Sequence, residues 1–263
     1  MSEDPVVIAT EGAVGIVELA RPRVFNCLSV EAFNRIRAAL RRFEADAAIR
    51  VLLIRAQGKN FCTGAELGEV KALRGDHAGL SHFIDNGHAV LTALEESRLP
   101  VVAAVQGLCL AGGLETMMAC DIVFAARSAR FGDQHGQFGL VPGWGGSQRL
   151  PRLVGLRRAM DLFLSVRWIE AEQAERWGLV NYVVDDHALH QEAMAFCQKL
   201  VSRSAPGVAL MKRLARAGLD ADLATGLRLE AREVVPALRS DDVIEGLAAF
   251  EGKRQPDFPS ARG

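Results

Sequence analysis

Two stretches near the start, VVIATEG (6–12) and VGIVELA (14–20), alternate outward and inward positions and are rich in β-branched residues. A period of two predicts a pair of strands, with a hairpin turning near Glu11-Gly12. SVEAFNRIRAALRRFEAD (29–46) switches to helical spacing behind Ser29, a suitable N-cap. RVLLIRA (50–56) is a short apolar run that reads as a buried strand, followed by the loop QGKNFCTGAEL. Residues 67–97 are helical in pattern but interrupted at Gly75 to Gly79. PVVAAVQG (100–107) reads as a second buried strand, GLETMMAC (113–120) as a short helix, DIVFAA (121–126) as a third strand and ARFGD (129–133) as a fourth. Strands alternating with helices predict an α/β core with parallel pairing.

Beyond about Leu156 the pattern becomes helical: LRRAMDLFLSVR, EAEQAERWG, ALHQEAMAFCQKLVS, PGVALMKRLARAG and LATGLRLEAREVVPALRSDDVIEGLAAFEGK. The last of these carry apolar stripes with no strands of their own to cover. Their faces must pack on the core, on each other or on another subunit. The division expected is a core over residues 1–200 and a helical region over 201–263, of which only the tail GKRQPDFPSARG looks frayed.

Composition narrows the field. The chain has 263 residues, 49% hydrophobic and 24% charged, with 31 Lys plus Arg against 32 Asp plus Glu. That balance gives no electrostatic ground for a nucleic-acid partner. The five cysteines, Cys27, Cys62, Cys109, Cys120 and Cys197, are odd in number and lack CxxC spacing, against both a disulfide framework and a zinc site. No metal or redox cofactor is expected. The opening MSEDPVVIATEG is acidic where a targeting peptide would be basic, so a cytoplasmic protein is expected. The longest uncharged run, 99–114, has 16 residues and includes Pro100, Gln106 and three glycines. A membrane span needs about 20 apolar residues, so this run reads as core.

Within GLCLAGGLETMMACD (107–121), Glu115 is the first charge after Arg98. A carboxylate in apolar surroundings is costly unless it has a partner or a purpose. Two glycine-containing loops, FCTGAEL and LCLAGGLE, each follow a buried strand and precede a helix. Backbone N–H groups at such junctions are unsatisfied, and two of them converging on one oxygen would form an oxyanion hole. Ordinary strand-to-helix turns would look the same. No dinucleotide fingerprint, P-loop or nucleophile elbow occurs.

AQGKNFCTGAELGEV, AVQGLCLAGGLETMMACDIVFAARSARFGDQHGQFGLVPGWGGSQRLPRLVG and GLRLEAREVVPALRSDDVIEGLAAFEGKRQPDF, together with ARPRVFNCLSVEAFNRIRAAL, resemble the crotonase (enoyl-CoA hydratase/isomerase) superfamily in collinear order. The resemblance implies an α/β fold, a crotonase-type spiral of ββα units with a C-terminal helical trimerisation region, assembled as a homotrimer or homohexamer. It implies an acyl-CoA thioester substrate, with coenzyme A part of the substrate and no other cofactor. The thioester oxygen would sit between the N–H groups of Ala65 and Gly112, and the coenzyme would run along Ala65, Glu66, Leu67 and Gly68. Glu115 falls where the hydratases carry one of two catalytic glutamates.

The second departs. Twenty residues on, where hydratases carry FGxPE, this chain reads FGDQH and places His135 there. Asp133, two residues earlier, would share its face if the segment is a strand. Isomerases often place an acid one residue after the proline of VPG, which is Gly143 here. The leading expectation is water addition to a 2-enoyl-CoA, with Glu115 as principal acid/base and His135 assisting. Isomerisation by Glu115 alone, His135-assisted carbon–carbon hydrolysis and a non-catalytic acyl-CoA-binding protein stand beside it. Trp144 would either limit acyl length or pack in the core. Cys62 and Cys109 lack a paired base, His77, His82, His88, His187 and His190 read as surface residues, and Arg149 and Arg152 as structural or inter-subunit contacts.

Overall fold

The structure, a computed structural model, describes residues 4–261. Part of the acidic opening, residues 1–3, and the last two residues of the tail lie outside them. The hairpin forms as the alternation requires: β1 (Val6–Glu11) and β2 (Val14–Leu19) pair antiparallel about a turn at Gly12. Helix α1 (Val30–Ala45) starts at Ser29, whose side chain accepts from the Ala32 N–H, a cap worth about 1 kcal/mol. Strand β3 (Val51–Ala56) follows. The interrupted helical stretch resolves into α2 (Leu67–Leu73) and α3 (His77–Glu96), with Asp76 capping the second.

The next two units place the site. Strand β4 (Val101–Val105) leads into β5 (Leu108–Leu110) and α4 (Gly112–Met118). Strand β6 (Ile122–Ala126) leads into β7 (Arg130–Gly132), a 3-10 turn at His135–Phe138 and α5 (Gly146–Val154). Then come α6 (Leu156–Ser165), β8 (Ile169–Glu170), α7 (Ala171–Arg176), β9 (Tyr182–Val184) and α8 (Leu189–Val201). Helices α9 (Ala205–Leu219), α10 (Leu223–Ala237) and α11 (Asp241–Glu251) complete the chain.

One sheet has the order β1-β2-β3-β4-β6-β9 and is parallel except for the hairpin; the other has the order β5-β7-β8. Each turn of the chain gives a strand to the large sheet, a short strand or bridge to the small side, then a helix. Leu28 pairs with Ala65, Cys62 with Cys109, and β5 with β7, all parallel. This is the expected spiral of ββα units. Its apolar strands 51–54 and 101–105 are buried on both faces, as parallel strands covered on both sides must be. Helix α8 packs across β3, β4 and β6.

Several elements differ from the sequence reading. Strands β5, β8 and β9 escaped it, because two- and three-residue strands have too few positions to show a period. Helix α5 escaped it because it opens on glycines without a side-chain cap and carries Pro151 inside. As far as Ala261 the tail is held in place: Pro259–Ala261 form a 3-10 turn, Ser260 donates to Asp242 Oδ1 at 3.0 Å, and Arg254 pairs with Glu245 at 2.6 Å. In α9 and α10 no residue is fully buried, while Leu219 is 81% and, on α11, Phe250 is 84% exposed. No helix among the described residues is long and apolar enough to cross a membrane.

Candidate active site

The two glycine loops meet. A β-carbon built on Gly64 would lie 3.3 Å from the Gly112 nitrogen, and one built on Gly112 would lie 3.4 Å from the Ala65 nitrogen. Neither the Ala65 nor the Gly112 N–H has a hydrogen-bond partner among the described residues. Gly112 opens α4, so its N–H belongs to the orphan donors of a helix start. Ala111, just before it, holds φ +48°, a conformation costing an L-residue about 1–3 kcal/mol. Its own N–H is fixed on the Gly132 carbonyl at 3.0 Å, and its carbonyl accepts from Glu115. Gly113 lets this turn rest on the previous unit, since a β-carbon there would meet the Cys62 carbonyl at 2.2 Å.

Glu115 lies in the first turn of α4 and is 1% exposed. Its Oε1 accepts two backbone bonds, from Trp144 at 2.8 Å and Gly146 at 2.7 Å. Its Oε2 is buried with no hydrogen-bond partner among the described residues. Burial pushes the carboxyl above its ordinary range, against the Gly146 N–H, His135 and the Trp144 N–H, which favour the anion. One oxygen is therefore pinned and the other left for chemistry.

That free oxygen faces His135 Nε2 at 3.9 Å. The separation exceeds a hydrogen bond but lets one small oxygen touch both atoms. On the far side of the ring, Nδ1 lies 2.9 Å from Asp133 Oδ2. A carboxylate only accepts, so Nδ1 donates to Asp133, and in the neutral ring the Nε2 lone pair points toward Glu115. Burial lowers the imidazole pKa, but the Asp133 hydrogen bond and charge, with Glu115 behind, outweigh it and hold the ring above its ordinary value. Asp133 and His135 do come together, although not by strand alternation. Strand β7 ends at Gly132, and the turn that follows folds Asp133 back, its Oδ1 accepting the His135 N–H at 3.2 Å.

The other candidates separate. Ala65 and Glu66 are half-buried, and Leu67 and Gly68, at the start of α2, are exposed. Glu66 is held by Arg21 at 2.6 Å. Trp144 is 2% exposed, its ring edge-on to Phe33 at 4.6 Å and stacked so closely on Gly87 and Gly112 that a β-carbon on either would strike it. The indole is thus core that also backs the Gly112 turn. Burial pushes the Cys62 thiol up to about 12 and the Cys109 thiol well above its usual range, so neither is a thiolate at neutral pH. His77, His82, His88, His187 and His190 are exposed. Arg149 bonds within its own chain, to Glu95 and the Trp144 carbonyl. The anchoring N–H groups of Trp144 and Gly146 were invisible in sequence, because backbone donors leave no residue-type signature. Among the described residues, no group of three or more His, Cys, Asp or Glu is disposed to hold a metal ion.

Residues 9–261 match the enoyl-CoA hydratase/isomerase family model. A probable enoyl-CoA hydratase of Rhizobium meliloti is 38% identical over 258 residues, 98% of this chain and 99% of that protein. A short-chain-enoyl-CoA hydratase of Clostridium acetobutylicum is 33% identical, with 97% of each chain covered. The crystal structure of an enoyl-CoA hydratase from Bacillus anthracis superposes with a TM-score of 0.91 at 33% identity, over 97% of this chain and 99% of that one. With the spiral fold and a family match spanning nearly its whole length, this chain belongs to the enoyl-CoA hydratase/isomerase family.

Proposed function

We propose that the protein is an enzyme of the enoyl-CoA hydratase type, adding water across the double bond of a 2-enoyl-CoA. The observation that carries the reading is the free Oε2 of Glu115 facing the Nε2 of His135 beside two unengaged N–H groups. The thioester oxygen would be held by Ala65 and Gly112, each donor worth roughly 3–4 kcal/mol as enolate charge develops. Coenzyme A would follow the backbone of Ala65, Glu66, Leu67 and Gly68, with Trp144 closing the acyl side. Water would lie between Glu115 and His135. His135, oriented by Asp133, takes a proton from it as the oxygen bonds to Cβ. Protonated Glu115 gives its proton to Cα, and the proton on His135 then returns to Glu115. Nothing in this scheme uses a metal or redox cofactor. Turnover of a panel of 2-enoyl- and 3-hydroxyacyl-CoA thioesters by pure protein tests it; a protein that converts none of them would remove the proposal.

The Asp133–His135 pair also favours a second reading, in which His135 activates water for carbon–carbon cleavage of a 3-oxo thioester. The same panel separates the two if 3-oxoacyl-CoA thioesters are included.

Assembly follows from the exposed apolar faces of α9, α10 and α11, which carry Leu219, Leu223, Leu227, Val235, Leu247 and Phe250. Large apolar side chains left in solvent in such number on one helical region favour an association surface. The expected state is a closed trimer or a dimer of trimers. Light scattering that gave a stable monomer at micromolar concentration would exclude it.

A further inference from the structure

We infer that Arg149 is a positioning residue for Glu115: gripped by Glu95, it holds the Trp144 carbonyl and so fixes the turn whose N–H groups anchor the catalytic carboxyl. This rests on Glu115 being the acid/base.

The Arg149 guanidinium engages Glu95 through two parallel bonds, Nε to Oε1 at 2.8 Å and Nη2 to Oε2 at 2.6 Å. Its remaining nitrogen, Nη1, donates to the Trp144 carbonyl at 2.7 Å. The N–H of that same Trp144 donates to Glu115 Oε1. One residue is thus held from its carbonyl side by the arginine while its amide side holds the acid. The turn is shaped around the guanidinium: Gly145 has φ +101°, and a β-carbon there would lie 2.1 Å from Nη1. Only a planar fork makes all three bonds at once.

The clamp is braced from behind. Arg216 on α9 reaches Glu95 at 3.2 Å and Asp121 at 2.8 Å, and Lys212 reaches Asp121 at 2.7 Å. The charged and titratable groups around the clamp are Arg216, Asp121 and Lys212 behind it and His88, Glu96, Arg152, Arg213 and Asp220 around the adjoining cavity, and those facing Glu115 are His135 and Asp133. A cavity of about 760 Å³ beside it is lined by Glu95, Gln148, Arg149, Arg213 and Arg216 and opens the clamp, not Glu115, to solvent. The competing account is that the packing of Trp144 on Phe33 and Phe83 holds the turn unaided.

Arg149→Met, Arg149→Lys and Glu95→Gln separate these accounts. Small misplacements of a reacting group cost up to about 100-fold in rate, so Arg149→Met should lower kcat by about 10–100-fold with KM changed by no more than about twofold. Arg149→Lys, which keeps the charge but loses the fork, should recover only part of it. Loosened N–H donors no longer favour the anion, so the Glu115 carboxyl should titrate at higher pH. Isotope-edited infrared spectroscopy of the full-length protein, with Glu115→Gln as the blank, reads that shift without any substrate. If Arg149→Met does not fold, Arg149→Lys and Glu95→Gln carry the same two readouts. Unchanged kcat, or a lower kcat with an unmoved Glu115 titration, would overturn the inference. A wild-type protein that converts no thioester would defeat the proposed function instead, and the infrared titration would still decide the role of Arg149.

Discussion

Glu115→Gln is expected to lower turnover of a 2-enoyl-CoA by about 10²–10⁴-fold, the usual worth of a general acid/base, with little change in affinity for acetoacetyl-CoA measured by calorimetry. The geometry makes this substitution unusually clean. Trp144 and Gly146 both donate to Oε1, so the glutamine carbonyl must take that place and its NH₂ the place of Oε2. Shape and anchoring survive; the transferable proton does not. The melting temperature should change little, since the NH₂ takes over the buried, unbonded place of Oε2 and the Oε1 anchors are kept. A Glu115→Gln enzyme working at the wild-type rate would leave Glu115 as a helix-end carboxylate offsetting the macrodipole.

The second large effect concerns His135 and its partner. His135→Ala is expected to lower hydration by about 10²-fold or more, and Asp133→Asn to do likewise by losing the orientation of the ring. The pH profile carries the sign. The working form holds one proton across Glu115 and His135. Below the first titration of the pair His135 cannot accept, and above the second Glu115 cannot donate. Both groups are displaced upward, from ordinary values of 4.5 and 6.5, so kcat/KM should follow a bell whose limbs lie above those values. The two limbs belong to the pair rather than to either residue. His135→Ala should leave a single limb. A histidine that is merely a remnant of a lost glutamate would behave otherwise: His135→Glu would raise hydration above wild type, and His135→Ala would leave it unchanged.

Much of the fold was legible because long buried strands and amphipathic helices write their period into the chain. The runs at 51–54 and 101–105, the hairpin at 6–19 and the Ser29 cap all formed as read, although β2 is buried at four successive positions rather than alternating. The short strands β5, β8 and β9 were not legible, because their place is fixed by neighbours already in the sheet. At the site, Glu115 stood out as a lone charge among apolar residues, and Ala65 and Gly112 came from the family resemblance. Asp133 was noticed for the wrong geometric reason: a turn, not a pleat, brings it to His135. The role argued for Arg149 lay out of reach, since 54 residues separate it from Glu95 and its other partner is a main-chain carbonyl. Tertiary polar contacts of this kind leave no local pattern.

The most direct test of the account is the reaction of wild-type protein with crotonyl-CoA in ¹⁸O-labelled water. The account predicts loss of the conjugated double bond and a 3-hydroxybutyryl-CoA product carrying the label at C3, with no free acid released. Unchanged crotonyl-CoA, a shifted double bond without label, or label only in a cleaved acid would contradict it.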